Sequence, residues 1–309
     1  MTRVSTSGNF ASVLSNLMSA QEKQFEAGDR VSSGKVGTDL RAYSQDSQVL
    51  TAMRTLNTRL EAFTEQNKLT SNRLETQDLG LTKAAEAADN ARKAISNAVA
   101  AGDATGLISA LRGEFASAVG AFNIQAAGKY VFAGGQVDTL PVTATRLEDL
   151  TLTPTAVQDS FTNDDYIEKI RVDETTTLEV GQVAEQIGTP ILTAFRDITA
   201  FHQGPNGPFV GKLTAAQTAF LESQIAVWAS VHRGLVVATS RNGEVQNQLE
   251  GVETRLTARQ ITVEGMISDV ADADMAKAAS DLTQAQLAVQ ASSQVFNTLR
   301  NSSLLNFLR

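Results

Sequence analysis

VLTAMRTLNTRLEAFTEQNKLTSNRLETQDLGLTKAAEAADNARKAI, residues 49–95, carries the pattern from which the fold is read. Stepping alternately by four and three residues, it passes Val49, Met53, Leu56, Leu60, Phe63, Asn67, Thr70, Leu74, Gln77, Leu81, Ala84, Ala88, Ala91 and Ile95. That is the 3.5-residue period of a coiled-coil seam, so the spacing predicts one long helix whose stripe faces a partner helix. Thr, Glu, Arg, Gln, Asn and Ala between these positions suit a solvated face. The polar members Asn67, Thr70 and Gln77 weaken burial of the stripe and are of the kind that fixes register at a cost in stability. From Ala84 to Ala101 the small side chains let a neighbouring helix approach closely.

Proline placement extends this reading outward. Pro141, Pro154, Pro190, Pro205 and Pro208 all lie in the middle, while residues 1–140 and 209–309 contain none. Interior proline costs a helix about 3 kcal/mol, so both flanks are free to form long helices. After a break at Gly102-Asp103, a second apolar stripe runs through Leu107, Ile108, Leu111, Phe115, Val119 and Phe122 and is expected to stop at Gly128. Two consecutive helices with a short turn make a helical hairpin. Lys129 to Gly188 then reads as strands and turns: Tyr130-Val131-Phe132 before Gly134-Gly135, turn chemistry at Asn163-Asp164-Asp165, and alternation through Glu168, Ile170, Val172 and through Thr176, Leu178, Val180. Helix is expected to resume at Thr189-Pro190, threonine capping and proline at the first helical position. It ends before the Gly204 to Pro208 turn, and Thr214-Ala215-Ala216-Gln217 has the spacing of a capping box. Beyond a break near Gly234, a second seam runs through Leu235, Ala238, Val245, Leu249, Val252, Leu256, Val263, Met266 and Val270.

The ends carry stripes of their own. Phe10, Leu14, Leu17, Gln21, Gln24, Gly28 and Val31 hold the rhythm at the start; Met275, Ala278, Leu282, Ala285, Val289, Ser292, Phe296 and Leu299 hold it at the finish, followed by Leu304, Leu305, Phe307 and Leu308. Rich in Ala, Ser and Gln, either helix alone would be marginal in water and calls for a partner. On periodicity these stripes suit two arrangements, the interior of an ordinary bundle or an interface in a self-assembling subunit. Their matched character at opposite ends of the sequence favours pairing with each other or with neighbouring copies.

Chemistry is sparse. With 26 basic and 34 acidic side chains the net charge is −8, and no basic cluster provides a face for phosphate, so a nucleic-acid partner is not expected. The absence of cysteine removes disulfides, thiolate metal sites and cysteine nucleophiles. Neither His202 nor His232 is followed by the glutamate of a zinc-protease helix, and the Gly28 to Val36 stretch fails as a phosphate loop in both glycine spacing and its final residue. Asp269, Asp272 and Asp274 lack the glycine and terminal glutamate of a calcium loop and read as a helix face or boundary. No catalytic set, cofactor site or metal site is expected. The longest apolar run, Ile225 to Ala229, is far short of the roughly 20 residues of a membrane span. Met1 to Phe10 lacks the basic and apolar regions of a cleaved signal peptide.

Five segments, in order along the chain, resemble the flagellin superfamily: Arg3-Val4-Ser5-Thr6-Ser7, Ser32-Ser33-Gly34-Lys35, GKYVFAGGQVDT at 128–139, Asp272-Ala273-Asp274-Met275-Ala276, and SLLNFL at 303–308. Within the superfamily, GKYVFAGGQVDT and SLLNFL are more similar to its hook-associated, junction-forming branch than to filament flagellin. The sequence departs from the family pattern at Val36 to Ala42 and at Gly135, where threonine is common.

The resemblance implies a mainly α fold: a long antiparallel helical bundle or coiled coil formed by the N- and C-terminal flanks, with a small β-rich inserted domain. It divides the chain into an assembly helix at 1–43, bundle halves at 44–135 and 189–270, the insertion at 136–188 and a second assembly helix at 271–309. It implies a structural, non-enzymatic component of the bacterial flagellum, an adaptor between hook and filament that is needed for motility, with a minor flagellin as the alternative within the family. Implied partners are further copies in a ring or tube, hook-associated protein 1, flagellin and a flagellar export chaperone. Export through the flagellar type III apparatus, without a cleaved signal, would place the protein outside the cell. Subunit packing is expected to fall on Phe10, Leu14 and Leu17 against Leu282, Val289, Phe296 and Leu299, with Leu304, Leu305, Phe307 and Leu308 reaching neighbours. Outside this family, the long seams also suit a coiled-coil module that binds partner helices in signalling.

Overall fold

The computed structural model describes residues 3–43, 46–152 and 156–305, with side chains for 8–43, 46–152 and 157–300. The fold is mainly α with a small strand-containing region. The helices are α1 (Arg3–Ser33), α2 (Ser47–Ala101), α3 (Leu107–Phe122), α4 (Ala156–Asp159), α5 (Ala184–Gln203), α6 (Ala215–Ala271) and α7 (Met275–Leu305). Two antiparallel two-stranded ladders join them, β1 (Gln125–Ala126) with β2 (Lys129–Tyr130) and β3 (Lys169–Arg171) with β4 (Thr177–Glu179). The chain divides into two compact units, residues 1–61 with 258–309, and residues 62–257.

In the larger unit the seam of α2 is buried at each predicted step from Asn67 to Ile95. Its counterpart on α6 runs through Leu221, Gln224, Trp228, Val231, Leu235, Asn242, Leu249, Val252 and Leu256, all buried. The Asn242 side-chain amide donates to the Leu74 carbonyl at 2.9 Å, tying the two helices at mid-seam. Two expectations change here. No break occurs at Gly234, which lies inside α6, because a glycine in a helix held by tertiary packing costs only about 1 kcal/mol. Asn242 fills the step between Ala238 and Val245 that looked vacant.

The polar seam residues do more than interrupt burial. Asn67 donates to the Val172 carbonyl and Gln77 to the Val131 carbonyl, each at 3.1 Å, and the neighbouring Gln66 donates to the Arg171 carbonyl at 3.1 Å. These bonds fasten the strand-containing region to α2. Arg73 pairs with Glu168, and burial pushes the Arg73 guanidinium below its ordinary value. The β3–β4 turn is organised by Asp173, whose carboxylate accepts the backbone N–H of Thr175 and Thr176 and both their hydroxyls. Burial works to raise the Asp173 pKa, but these four donors outweigh it and hold the carboxyl at about 2.

The main core joins α2, α3, α5 and α6 around Phe115, Phe195 and Trp228, with Phe195 edge-on to both other rings. Two local boundaries differ from expectation. Helix α3 ends at Phe122, and 125–130 form a hairpin whose two turn residues, Ala127 and Gly128, both have positive φ, the geometry of a tight primed turn. Helix α5 starts at Ala184, not at Pro190, which sits inside it; the Ala184 N–H is satisfied by the Phe132 carbonyl, so tertiary contact supplies the helix start. In the loop after β2, Gly135 donates its N–H to Asp164 at 2.7 Å, and a Cβ there would meet the Asp164 carboxylate at 2.8 Å. That contact explains glycine at this position. The capping box forms as predicted, Thr214 and Gln217 bonding each other's N–H. Pro154 lies outside the described residues.

Candidate functional site

The smaller unit holds α1 and α7 packed along each other, together with residues 47–61 of α2 and 258–271 of α6. Phe10 meets Phe296 at one end, ring centroids 5.0 Å apart, and Lys35 bridges Asp272 at the other, so the two helices run antiparallel. On α7 the inner face is the predicted stripe from Ala278 onward: Ala278 and Ala285 are buried, and Leu282, Val289, Ser292, Phe296 and Leu299 are half-buried, while Met275, its expected first member, is exposed. On α1 the inner face is Val13, Leu17, Ala20, Gln24, Ala27, Gly28 and Val31; it keeps Leu17, Gln24, Gly28 and Val31 of the stripe expected from the sequence and adds Val13, Ala20 and Ala27, while Leu14 and Gln21 are exposed. The alanines explain the choice. Ala20 and Ala27, seven residues apart, match Ala278 and Ala285, also seven apart, and small side chains at both faces allow the backbones to close up.

Of the residues expected to pack, the described structure brings together Phe10 and Phe296, and places Leu17, Leu282, Val289 and Leu299 on the two facing stripes. Leu14 is exposed to 39%, and by helical spacing shares a flank with Met18 at 63% and Phe25 at 75%. Met18 and Phe25 fall outside the stripe expected from the sequence, although they follow Leu14 at spacings of four and seven residues. Side chains of Leu304 and Leu305, and all of Phe307 and Leu308, lie outside what is described.

A two-helix pair leaves its large apolar side chains half open because each faces only one neighbour. Leu287 and Val295 of α7 are likewise exposed. With Leu14, Met18 and Phe25 they leave five large apolar side chains exposed on the pair.

The base of the pair is built by two chain crossings that complete each other. Gly34, with φ +68°, ends α1 in the left-handed conformation that glycine adopts without strain. Its carbonyl accepts the Ala273 N–H at 2.8 Å, and the Ala271 carbonyl at the end of α6 accepts the Val36 N–H at 2.9 Å and the Tyr43 hydroxyl at 3.3 Å. Lys35 pairs with Asp272, whose other oxygen takes the Ser268 hydroxyl; Lys35 first, then Ser268, hold the Asp272 carboxyl below its ordinary range. Asp274 caps α7 by accepting the N–H of Ala276 and Lys277 at 2.9 and 3.1 Å. Tyr43, Leu50 and Ala271 form a small core here with Val36, Ile267 and Val270. Ile267 takes the inward position expected of Met266, which is exposed. The acidic residues Asp272 and Asp274 therefore make a helix boundary, with pairing and capping roles.

Among the described residues no group of three or more His, Cys, Asp or Glu is arranged to hold a metal ion, and no helix is long and apolar enough to cross a membrane. The arrangement offers surface for association.

Comparison with known proteins bears on this surface. Residues 233–308 match the family model of the bacterial flagellin C-terminal helical region. No curated protein sequence matches the chain. Among solved structures, it is similar to a putative flagellar hook-associated protein from Vibrio parahaemolyticus, with 16% identity, a TM-score of 0.57, and coverage of 72% of this chain and 96% of that one. It is also similar to FlgL of Bacillus cereus, with 13% identity, a TM-score of 0.55, and coverage of 71% and 99%. The chain is thus flagellin-like in sequence over its last quarter, and shares its fold with these two proteins over most of its length.

Proposed function

We propose that this chain is a structural subunit of the bacterial flagellum, an adaptor at the junction of hook and filament on which filament assembly and motility depend. The observation that carries the reading is the antiparallel α1–α7 pair, apolar on its outer flanks and drawn from the two ends of the chain. The likeness in fold to hook-associated proteins supports it. In this reading 1–43 and 271–309 are the assembly part, 44–135 and 189–270 the bundle, and 136–188 the outward insertion. Phe10, Leu14 and Leu17 with Leu282, Val289, Phe296 and Leu299 set the packing, and Leu304, Leu305, Phe307 and Leu308 reach neighbouring copies. Its partners are further copies in a ring or tube, hook-associated protein 1 on one side, flagellin on the other, and an export chaperone before assembly. Export proceeds without signal cleavage, and the protein works outside the cell with no cofactor and no enzymatic step.

The test is deletion of the gene in the bacterium that encodes it. Bare hooks with flagellin released into the medium are expected, and complementation restores filaments. Near-normal filaments in the deletion strain would overturn the adaptor reading. That outcome fits the second reading, a minor flagellin, which the match of residues 233–308 to a flagellin family model favours. A stable dimer of the isolated protein that fractionates with cytosol and never with sheared flagella would instead point to a partner-binding coiled-coil module.

A further inference from the structure

One of the groups that hold the connection between α5 and α6 is an imidazole. His202, in the last turn of α5, accepts the Phe209 N–H on its Nδ1 at 3.0 Å. That bond requires an unprotonated Nδ1, which places the ring proton of the neutral form on Nε2. Phe209 is buried, its ring stacked on His202 with centroids 5.9 Å apart and on Phe201 at 5.2 Å, and Phe201 stacks on Phe220 of α6 at 4.0 Å. The backbone between them is tightly seated: a Cβ at Gly207 would run into the His202 carbonyl. The same connection interlocks with the α2–α3 turn. Ala104 donates to the Gly211 carbonyl at 2.8 Å, Leu213 donates to the Gly102 carbonyl at 2.9 Å, and Asp103 bridges Lys212. Gln217 adds bonds from its side-chain amide to the carbonyls of Asn206 and Pro208.

We propose that His202 is a pH-sensitive pin: neutral, it holds the Phe209 amide and the 204–213 connection closed; protonated, it presents a donor to a donor and releases that connection. The charged groups that face it are Arg112 of α3 and Glu148 of the 147–151 turn, which pair with each other. Gln217 and Phe220, the α6 residues in this cluster, carry no charge. Burial first, and Arg112 second, hold the His202 pKa below its ordinary 6.5, with Glu148 opposing them. The sign follows. The opened segment takes up the proton more readily than the closed one, so the pin contributes fully above about pH 6.5 and is lost as pH falls through the lowered value of the closed form. Nothing in this depends on the flagellar reading.

The experiment is amide hydrogen exchange on the full-length protein between pH 7.5 and 5, corrected for the intrinsic pH dependence of exchange, with the His202 ring titrated by NMR in the same samples. Protection of the Phe209 amide is expected to fall about tenfold toward the acid end. In His202→Asn, whose side-chain oxygen keeps an acceptor and does not titrate, the protection stays flat. His232→Asn, the control for the other histidine, behaves as wild type. Flat protection in the wild type, an equal acid loss in His202→Asn, or a His202 ring titrating above 6.5 would each overturn the proposal; the ring titration needs no variant to fold.

Discussion

Gly80 sits inside α2, where glycine costs a helix roughly 1 kcal/mol relative to alanine. Its use is contact: a Cβ there would lie 2.7 Å from the Phe132 ring and 2.8 Å from the Ala121 carbonyl oxygen. Gly80→Ala is therefore expected to destabilise by about 1–3 kcal/mol in a denaturant melt, against its helix propensity. Asp173 allows a second prediction at this scale. Its folded pKa of about 2 lies below the ordinary 3.8, so its stabilisation is complete above about pH 4 and is lost as pH falls toward 2. Asp173→Ala should cost about 1–2 kcal/mol at neutral pH and flatten that acid loss, as read by urea melts at pH 7 and pH 3. Neither residue announced itself in the sequence. A glycine inside a seam and an aspartate in a turn take their meaning from what approaches them.

At the scale of the element, the seam of α2 was legible because burial in a two-helix contact repeats with the helix itself. The prediction that belongs here contrasts two leucines on one helix. Leu74→Ala, at a buried step, should cost about 2–5 kcal/mol, and Leu69→Ala, exposed to 63%, no more than about 0.5 kcal/mol, both measured by chemical denaturation. Legibility stopped where the deciding force was not periodic. Helix α5 begins six residues before Pro190 because Phe132 supplies a carbonyl to Ala184, and α6 runs through the exposed Gly234 because Val231 and Leu235 on either side of it in the chain are buried. The α1 stripe shares Leu17, Gln24, Gly28 and Val31 with the packed face but holds Leu14 and Gln21 where the structure buries Ala20 and Ala27. Close approach of two backbones rewarded the smaller residues.

For the whole molecule, the flagellar reading predicts a separation between folding and assembly. Removing residues 300–309 should abolish incorporation into flagella while leaving the 62–257 unit folded, measured by electron microscopy of sheared flagella and by the circular dichroism melt of the purified chain. Normal incorporation of that truncation would remove the terminal helices from the interface. The candidate site was legible as a pair of matched stripes: on α7 each expected step from Ala278 to Leu299 is buried or half-buried, while Met275 at its start is exposed. What could not be read was the join at its base, where Gly34, Lys35 and Val36 meet Ala271, Asp272 and Ala273 across more than 230 residues of chain.

By itself the sequence determined that both flanks are long amphipathic helices, that the prolines mark the interrupted middle, and that no conventional catalytic motif is present. These follow from periodicity, backbone chemistry and residue type, all local properties. Only the tertiary structure decided which flank of α1 meets α7, that the polar seam residues Asn67 and Gln77 hold the carbonyls of Val172 and Val131, and that His202 holds the Phe209 amide. Those depend on partners distant in sequence or on a loop folding back, and a hydrogen-bond acceptor leaves no trace in the pattern of the donor that finds it.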